Sequence, residues 1–256
     1  MRRLFWVISA LLLAACQRDD TLLYQMTALG MVQDGTIVTD EGLSFYIQEQ
    51  TCEGRIDTMS RVYFTCDVLT QRPAKNAYDI RLTALKAPLT KAPLLQSELE
   101  AAAAEAGLAT FSKAPYHDAF VAGFGMAIQA GSLPPVKSSG AADALKLPLE
   151  DDPIDLTRAW FSGGYLNMIF RIPSDGRETV HRLNLVWNDT APRDTIRLRF
   201  FHDDQRPEPL KDTTSWLQGI VCFQTAPFDP ALGSALPVRL QWNPATPVAT
   251  TGYLKN

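Results

Sequence analysis

The chain has 256 residues, of which 46% are hydrophobic and 20% charged, and its formal net charge is −4. This balance is typical of globular proteins and excludes a disordered chain, while the interspersed charges exclude the basic patch of a nucleic-acid-binding protein. A chain of this length predicts one large or two ordinary domains with enough buried surface to need no disulfides.

The first fifteen residues have the pattern of a secretory signal peptide. Two arginines precede an apolar run from Leu4 to Leu13, which is shorter than the roughly 20 residues of a membrane span. The run ends in Leu13-Ala14-Ala15-Cys16, which resembles the bacterial lipobox. The resemblance implies cleavage after residue 15 and acylation of Cys16, a palmitate-type anchor that holds the protein on a membrane. A signal peptide with a coincidental cysteine is the alternative.

Residues 16–23 are predicted to be a polar tether. Asp19 and Asp20 resemble the acidic sorting signal that sends some bacterial lipoproteins to the outer face of the outer membrane. Gln17 is not the aspartate that retains other lipoproteins at the inner membrane. The resemblance implies an outer-membrane lipoprotein at the cell surface, and a solvated linker is the alternative.

Residues 24–93 predict β-strands throughout. The segments Arg61–Leu69 and Tyr78–Leu85 alternate between apolar and polar residues. Their apolar faces comprise Val62, Phe64, Cys66 and Val68 in the first and Tyr78, Ile80, Leu82 and Ala84 in the second. Four or five short strands in one segment favour a small closed barrel of the OB type. Residues 24–91 carry seven Lys/Arg against eight Asp/Glu, which excludes a groove that follows nucleic-acid phosphates.

Beyond the lipobox cysteine, the chain contains Cys52, Cys66 and Cys222. An odd number outside the cytoplasm leaves at least one unpaired thiol or an intermolecular bond. A hairpin centred on Met59 would set Cys52 opposite Cys66, whereas one centred on Asp57 would put Gln48 there, so the pairing stays open. Buried thiols that act as small hydrophobic side chains are the alternative.

Residues 94–150 predict a partly helical insertion or linker. Ser97-Glu98-Leu99-Glu100 has a capping-box pattern, alanines follow, and Gly107 stands where a helix would end. The apolar, glycine-containing run Ala119–Ala130 is compatible with a second helix. This insertion either forms a docking patch or packs against one of the domains.

Residues 151–256 again predict strands, at the spacing of an antiparallel β-sandwich. The predicted inward faces comprise Leu183, Leu185 and Trp187, then Ile196, Leu198 and Phe200, then Leu236, Val238, Leu240 and Trp242. Further strands start at Arg158, Tyr165 and Trp216, and Pro237 implies an edge strand or the start of one.

One signature in this second region resembles a known family. It consists of Asp152-Pro153-Ile154 followed by Ala159-Trp160-Phe161-Ser162-Gly163-Gly164-Tyr165-Leu166-Asn167. The pattern is similar to that of the NigD-like lipoproteins, and the strings Arg61–Phe64, Tyr78–Leu82, Leu89–Lys91 and His181–Val186 agree with it. The resemblance implies a lipidated cysteine, an OB-type N-terminal domain and a β-sandwich C-terminal domain, with residues 94–149 departing from the family. It implies no activity and transfers no catalytic residue.

Physically, this signature predicts fold and not chemistry. Trp160 and Phe161 are expected to pack between the sheets, and Gly163-Gly164 would permit a tight turn.

No enzyme motif, metal-ligand spacing or cofactor fingerprint occurs in the sequence. His117, His181 and His202 stand in separate segments, and Asp203-Asp204 favours a solvated turn over a cation site. The sequence therefore predicts no catalytic residue, no metal and no cofactor, although a pair of carboxylates for glycoside hydrolysis would meet only in space.

Several Asp-Thr pairs resemble an Asp-Thr-aliphatic O-glycosylation acceptor of exported bacterial proteins. Thr58, Thr190 and Thr213 are the favoured positions because a sugar must face solvent in a turn. The Thr213 site departs from the pattern, since Thr214 is not aliphatic.

The leading hypothesis is a lipid-anchored binding or assembly module whose partner is a glycan, a peptide or another envelope protein, with no nucleic acid involved. Candidate stacking residues are Trp160, Trp187, Trp216 and Trp242, with core packing as the alternative. An enzyme is the less favoured reading. The alternatives are an envelope hydrolase with a loop-assembled carboxylate site and a structural subunit that docks through residues 94–150.

Overall fold

A computed structural model of the chain describes residues 24–111, 117–121, 146–176, 180–192, 194–206, 210, 215–228, 236–245 and 253–254. Of Thr58 and of residues 117–121 and 253–254, the backbone alone is described. The chain divides into two compact units between Lys86 and Ala87.

The first unit is a closed five-stranded barrel. Its strands are β1 (Tyr24–Gln33), β2 (Thr36–Thr39), β3 (Ser44–Gln50), β4 (Arg61–Gln71) and β5 (Ala77–Lys86), with a short 3-10 helix at Ile56–Thr58. The order around the barrel is β1-β2-β3-β5-β4, with β3 and β5 parallel and the other pairs antiparallel. This order agrees with the predicted OB-type barrel.

The alternating pattern of β4 sets its inward face. Its inward side chains, all fully buried in the barrel core, are Val62, Phe64, Cys66 and Val68, as predicted. On β5 the prediction fails at one position, because Ala84 is exposed and Leu85 is buried instead. The pairing of β4 with β5 shifts register between Thr65 and Cys66, and such a bulge moves the next side chain to the other face.

The two hairpins considered for the cysteines do not form. Strand β4 pairs with β1 and β5, so Cys66 lies opposite Met26 and Leu82 and not opposite a residue of β3. Cys52 and Cys66 are thiols. Burial raises the pKa of Cys66 to about 12, which keeps this thiol protonated and inert at neutral pH.

The barrel also buries an ion pair. Nη1 and Nη2 of Arg61 donate to the two carboxylate oxygens of Asp40 at 3.0 and 2.7 Å. The two side chains are 0% and 3% exposed, so the pair is closed off from water.

The second unit is a sandwich of two sheets. Its strands are β6 (Leu89–Lys91), β7 (Leu94–Leu95), β8 (His117–Val121), β9 (Asp155–Ser162), β10 (Tyr165–Ser174), β11 (Arg182–Trp187), β12 (Ile196–Asp203), β13 (Ser215–Gln224), β14 (Val238–Trp242) and β15 (Tyr253–Leu254). One sheet has the order β6-β13-β10-β9 and the other β15-β8-β14-β12-β11-β7. The predicted mainly β fold with a β-sandwich is confirmed.

The core lies between these sheets and follows the predicted faces. It includes Leu183, Leu185, Ile196, Leu198, Phe200, Val238, Leu240 and Trp242, with Trp187 and Leu236 packed against it. Both sheets also contain parallel pairs: β6 with β13, β12 with β14, β7 with β11 and β8 with β15. Pro237 precedes an interior strand, so it marks a strand start and not an edge.

The segment expected to be an insertion joins the sandwich. Helix α1 (Gln96–Ala106) ends at Gly107, whose φ of 66° is left-handed, as the sequence predicts. The strands that flank the helix extend the sandwich sheets, and β6 pairs with β13. The boundary expected at residue 93 is therefore revised to Lys86, and Ala119–Val121, expected in a helix, lie in β8.

The signature residues build a hairpin between β9 and β10. Gly163 and Gly164 have φ values of 57° and 77°, and Ser162 Oγ accepts hydrogen bonds from Trp160 Nε1 and Asn167 Nδ2. Phe161 lies in the core as predicted. Trp160 is buried on the opposite face of its strand, so its predicted place between the sheets is wrong. These contacts support a role in folding.

Candidate functional site

A pocket of about 280 Å³ lies on the outer face of the six-stranded sheet. The residues that line it are Gln96, Phe111, Val186, Asn188, Arg197, Leu198, Arg199, Arg239 and Gln241. Three arginines and three amide side chains therefore surround one small cavity. None of the described residues that line it carries a carboxylate.

Strand pairing arranges most of these side chains in two rows. Arg197 lies opposite Arg239 in the parallel pair of β12 and β14, and the Asn188 amide donates to the Arg197 carbonyl at 2.9 Å. We call Asn188, Arg197 and Arg239 the first row.

In the same way Arg199 lies opposite Val186 on β11 and Gln241 on β14. We call these three residues the second row. Neighbouring strands are about 4.8 Å apart, and alternate residues along a strand about 6.6 Å, so the rows form a compact grid.

The sequence places the arginines outward because the residues between them face the core. Ile196, Leu198 and Phe200 alternate with Arg197 and Arg199 and lie inside the sandwich. In the same way Val238 and Leu240 flank Arg239, and both are buried. Period-two alternation therefore directs the guanidinium groups of adjacent strands to the outer face.

Helix α1 and the segment after it form the walls of the pocket. Leu99 packs against Val186 and Phe201 in a small core on this outer face, together with Phe111. The helix begins beside Asp189, whose carboxylate accepts hydrogen bonds from Ser97 N and Ser97 Oγ. A carboxylate at a helix N-terminus is favoured by the helix dipole, so Asp189 fixes the helix start and with it Gln96. The predicted capping box is wrong here, since Leu95 is the N-cap and makes no side-chain cap.

Burial opposes the charge on Asp189, yet its hydrogen bonds from Ser97 outweigh that effect and lower its pKa. Asp189 is therefore an anion at neutral pH, as its position at the helix start requires.

Arg199 is the most restrained of the three arginines. Its Nη2 donates to Asp151 Oδ2 at 2.6 Å, and its guanidinium lies 4.4 Å from the Phe201 ring centroid and 5.3 Å from that of Phe111. Phe111 and Phe201 stack with centroids 5.1 Å apart. Burial raises the pKa of Asp151, although the ion pair with Arg199 works against it.

Arg197 is less restrained. Its side chain is 39% exposed, and Asp194, at 3.4 Å, is itself 69% exposed. Since solvent screens such a pair, Arg197 keeps most of its capacity to bind an anion. Guanidinium groups recognise carboxylate and phosphate oxygens through two parallel hydrogen bonds, so this pocket is suited to an anionic ligand.

The predicted modification sites are placed as follows. Cys16 and Thr213 lie outside the described residues, as does the side chain of Thr58. Thr190 is exposed, and its Oγ1 donates to Asn188 Oδ1 at 3.0 Å.

Two of the histidines, which the sequence treats as isolated, are in contact. His181 Nδ1 and His202 Nε2 are 2.9 Å apart and buried. Burial and the neighbouring His181 lower the pKa of His202 to about 3, so its ring is neutral at physiological pH. The side chain of His117 lies outside the described residues.

Carboxylates lie near this histidine pair. Asp204 N donates to Asp152 Oδ2 at 2.8 Å, and burial, with Asp204 and Asp203 nearby, raises the pKa of Asp152 to about 6. Asp203 contacts Arg182 and accepts from Gln205 N, while Asp204 contacts Arg206. Within the described ranges, no group of three or more His, Cys, Asp or Glu side chains is placed to hold a metal ion.

The tryptophans are divided between packing and exposure. Trp160 and Trp242 are buried, and Trp187 packs against the sandwich core. Trp216 is 41% exposed, with Arg171 4.9 Å from its ring centroid.

The fold and the comparisons define the class of this protein. It is a mainly β protein in which a closed five-stranded barrel precedes a two-sheet sandwich. Residues 135–247 match the NigD-like C-terminal β-sandwich domain, and the chain belongs to the family that this domain defines. The predicted resemblance to NigD-like proteins is thus confirmed. No curated protein matches the chain.

Solved structures share this fold at low sequence identity. A DUF1344 protein of unknown function from Bacteroides vulgatus is 15% identical, with 88% of this chain and 87% of that one covered and a TM-score of 0.54. A NigD-like immunity protein from Bacteroides caccae is 14% identical, with 80% and 77% covered and a TM-score of 0.46. A candidate lipoprotein from Bacteroides fragilis is 12% identical, with 81% of each chain covered and a TM-score of 0.47.

Among the described helical residues, none forms a helix with the length and apolar character needed to cross a membrane.

Proposed function

We propose that this protein is a lipid-anchored binding module of the bacterial envelope, displayed at the cell surface, which takes an anionic ligand in its arginine pocket. The observation that carries the proposal is the grid of outward arginines on the six-stranded sheet. Ordinary surface arginines are scattered among carboxylates, whereas these converge on one cavity with no carboxylate in its described lining.

The address of the protein rests on its leader. An apolar run that ends in Leu13-Ala14-Ala15-Cys16 supports lipidation of Cys16, and the acidic residues that follow support export to the outer membrane. Several acyl chains provide an effectively permanent anchor, since a single one binds only reversibly.

A labelling experiment tests the anchor. Cells expressing the full chain should incorporate labelled palmitate, and the Cys16→Ser variant should incorporate none and keep its leader. A Cys222→Ser variant is the matched control and should be labelled like the wild type. An unlabelled wild-type chain would refute the anchor. Protease shaving of intact cells then tests surface display, which requires that the chain be digested.

The same purified material tests O-glycosylation, which stays a prediction for Thr58, Thr190 and Thr213. An intact mass equal to that of the lipidated, unglycosylated chain would exclude it.

Titration with sulfate tests anion binding. Chemical shifts or heat of binding should report one site on the full-length protein in nonionic detergent, and Arg197→Gln and Arg239→Gln should each weaken it. Loss of one charge-assisted hydrogen bond costs about 1.5–3 kcal/mol, or roughly tenfold or more in affinity. Arg171→Gln, a matched change on the other sheet, should leave sulfate binding unchanged. Equal weakening by all three variants, or no binding at all, would refute the pocket as the binding site.

A further inference from the structure

The arginine pocket also carries information on the class of its ligand. Resting on the function proposed above, we infer that it binds an acidic sugar, with the carboxylate in the first row and the ring against the second row.

The first row is the more positive of the two. Arg197 and Arg239 lie opposite each other on adjacent strands, about 4.8 Å apart at the backbone, so two guanidinium groups reach one point. In the second row the positive charge of Arg199 is already paired with Asp151 at 2.6 Å. Strand β8 also places the acidic residue Asp118 in register with Gln241 of that row. A carboxylate is therefore directed to the first row.

The second row and the wall beside it are partly apolar. Val186 is buried and packs in the same small core as Phe111, whose ring lies beside the Arg199 guanidinium. The C–H faces of a sugar ring pack against such a surface, whereas an inorganic anion has no apolar face to bury.

The amide side chains distinguish a sugar from an inorganic anion. Gln96, Asn188 and Gln241 each offer both a donor and an acceptor to the cavity that they line. Hydroxyl groups need both, since each one donates and accepts. Sulfate and fully ionised phosphate accept only, so a pocket evolved for them needs donors alone.

The position of the pocket argues against an extended peptide. β12 and β14 are interior strands, and β11 is covered by β7, so their backbone groups are occupied by sheet pairing. A peptide cannot add to this sheet as a further strand at the pocket. The cavity of about 280 Å³ lies at the lower end of the range for ligand pockets, about 300–1,000 Å³, which suits one sugar ring.

Calorimetric titration of the full-length protein in nonionic detergent tests the inference with glucuronate, glucose and sulfate as probes. Glucuronate should bind at least about tenfold more tightly than glucose, which lacks the carboxylate, and more tightly than sulfate. Arg239→Gln should weaken glucuronate roughly tenfold or more, and Arg239→Lys should restore part of the loss because it keeps the charge without the fork.

Two further variants separate ring recognition from anion binding. Asn188→Leu and Gln241→Leu remove an amide at similar size, so they should weaken glucuronate several-fold and leave sulfate binding unchanged. An effect on both probes alike, or sulfate binding as tight as glucuronate, would overturn the acidic-sugar inference while the anion-binding function stands. Glucose binding as tightly as glucuronate, or no binding of any probe, would overturn both.

Discussion

The barrel and the sandwich both hold an arginine against a nearly inaccessible aspartate, but they leave that arginine in different surroundings. In the barrel, Arg61 and Asp40 are 0% and 3% exposed. In the sandwich, Arg199 is 13% exposed, its partner Asp151 is 0% exposed, and the guanidinium borders a cavity. A closed barrel end turns the pair into a structural element, whereas an outer sheet face leaves one member available to a ligand.

The largest effect is expected from Asp40→Ala in the barrel. Removing one partner of a buried pair leaves an uncompensated charge and costs about 3–5 kcal/mol of unfolding free energy. Strands β1–β5 contain no tryptophan, so hydrogen exchange of barrel peptides measures this loss, while tryptophan fluorescence follows the sandwich.

Asp57→Ala is the matched control for that variant. The Arg55–Asp57 pair also lies in the barrel chain, but its side chains are 77% and 61% exposed. Its removal should leave hydrogen exchange of the barrel unchanged. An Asp40→Ala loss no larger than that of Asp57→Ala would show that burial of the Arg61 pair is not what matters.

Asp151→Ala is expected to cost less than Asp40→Ala, about 1–3 kcal/mol, because water in the pocket can solvate Arg199 and Phe201 still stacks on it. Urea unfolding followed by tryptophan fluorescence measures the cost. The same variant should bind sulfate several-fold more tightly, since it frees the Arg199 fork. Weaker sulfate binding would show that Asp151 is needed to hold Arg199 in place.

A smaller effect is expected in the pH dependence of stability. The pKa of His202 is lowered to about 3, so from pH 6.5 down to 3 the unfolded chain binds a proton that the folded chain does not, and stability falls with pH. The pKa of Asp152 is raised to about 6, so from pH 6 down to 3.8 the folded chain holds the extra proton, and stability rises as pH falls.

These two groups offset each other, and Asp152→Asn should unmask the histidine. The variant should lose stability more steeply than the wild type between pH 6 and 4, by less than about 1.4 kcal/mol per pH unit, the limit for one proton. Asn still accepts the Asp204 hydrogen bond. Urea unfolding at several pH values measures the slope, and Asp194→Asn, at an exposed position, should keep the wild-type profile. Equal slopes for Asp152→Asn and the wild type would contradict these pKa directions.

The smallest effect is expected from Asp189→Ala at the start of α1. Loss of a carboxylate at a helix N-terminus costs about 0.3–1 kcal/mol, and hydrogen exchange should rise in the first turn of the helix. Asp194→Ala, on the same loop, should not change exchange there. Unchanged exchange in Asp189→Ala would mean that the small core around Leu99 alone holds the helix.

Much of the fold could be predicted because each strand buries one face. The faces of β4, β11, β12 and β14 follow from alternation alone, which a single buried side imposes. The β5 face could not be predicted to its end, because the bulge that exposes Ala84 arises from its pairing with β4. Trp160 was misplaced because its size suggests the main core, whereas its strand position turns it to the other face.

The candidate site itself was missed, and its origin explains why. Arg197 and Arg239 are far apart in the sequence and meet because β12 and β14 pair in parallel, a register that no local pattern encodes. The contact between His181 and His202 likewise depends on the pairing of β11 with β12. The sequence signal that was available is the polar side of two predicted strands, on which arginine recurs at alternate positions.

Because the pocket floor is built from strands and not from loops, its capacity to diversify is limited in a particular way. Exchange of one outward side chain, such as Asn188 or Gln241, retunes selectivity without disturbing the interior. A one-residue insertion in β12 would instead turn Arg197 and Arg199 inward and Leu198 outward, and so abolish both folding and recognition. Homologues should therefore vary here by replacement, and keep the strand lengths fixed.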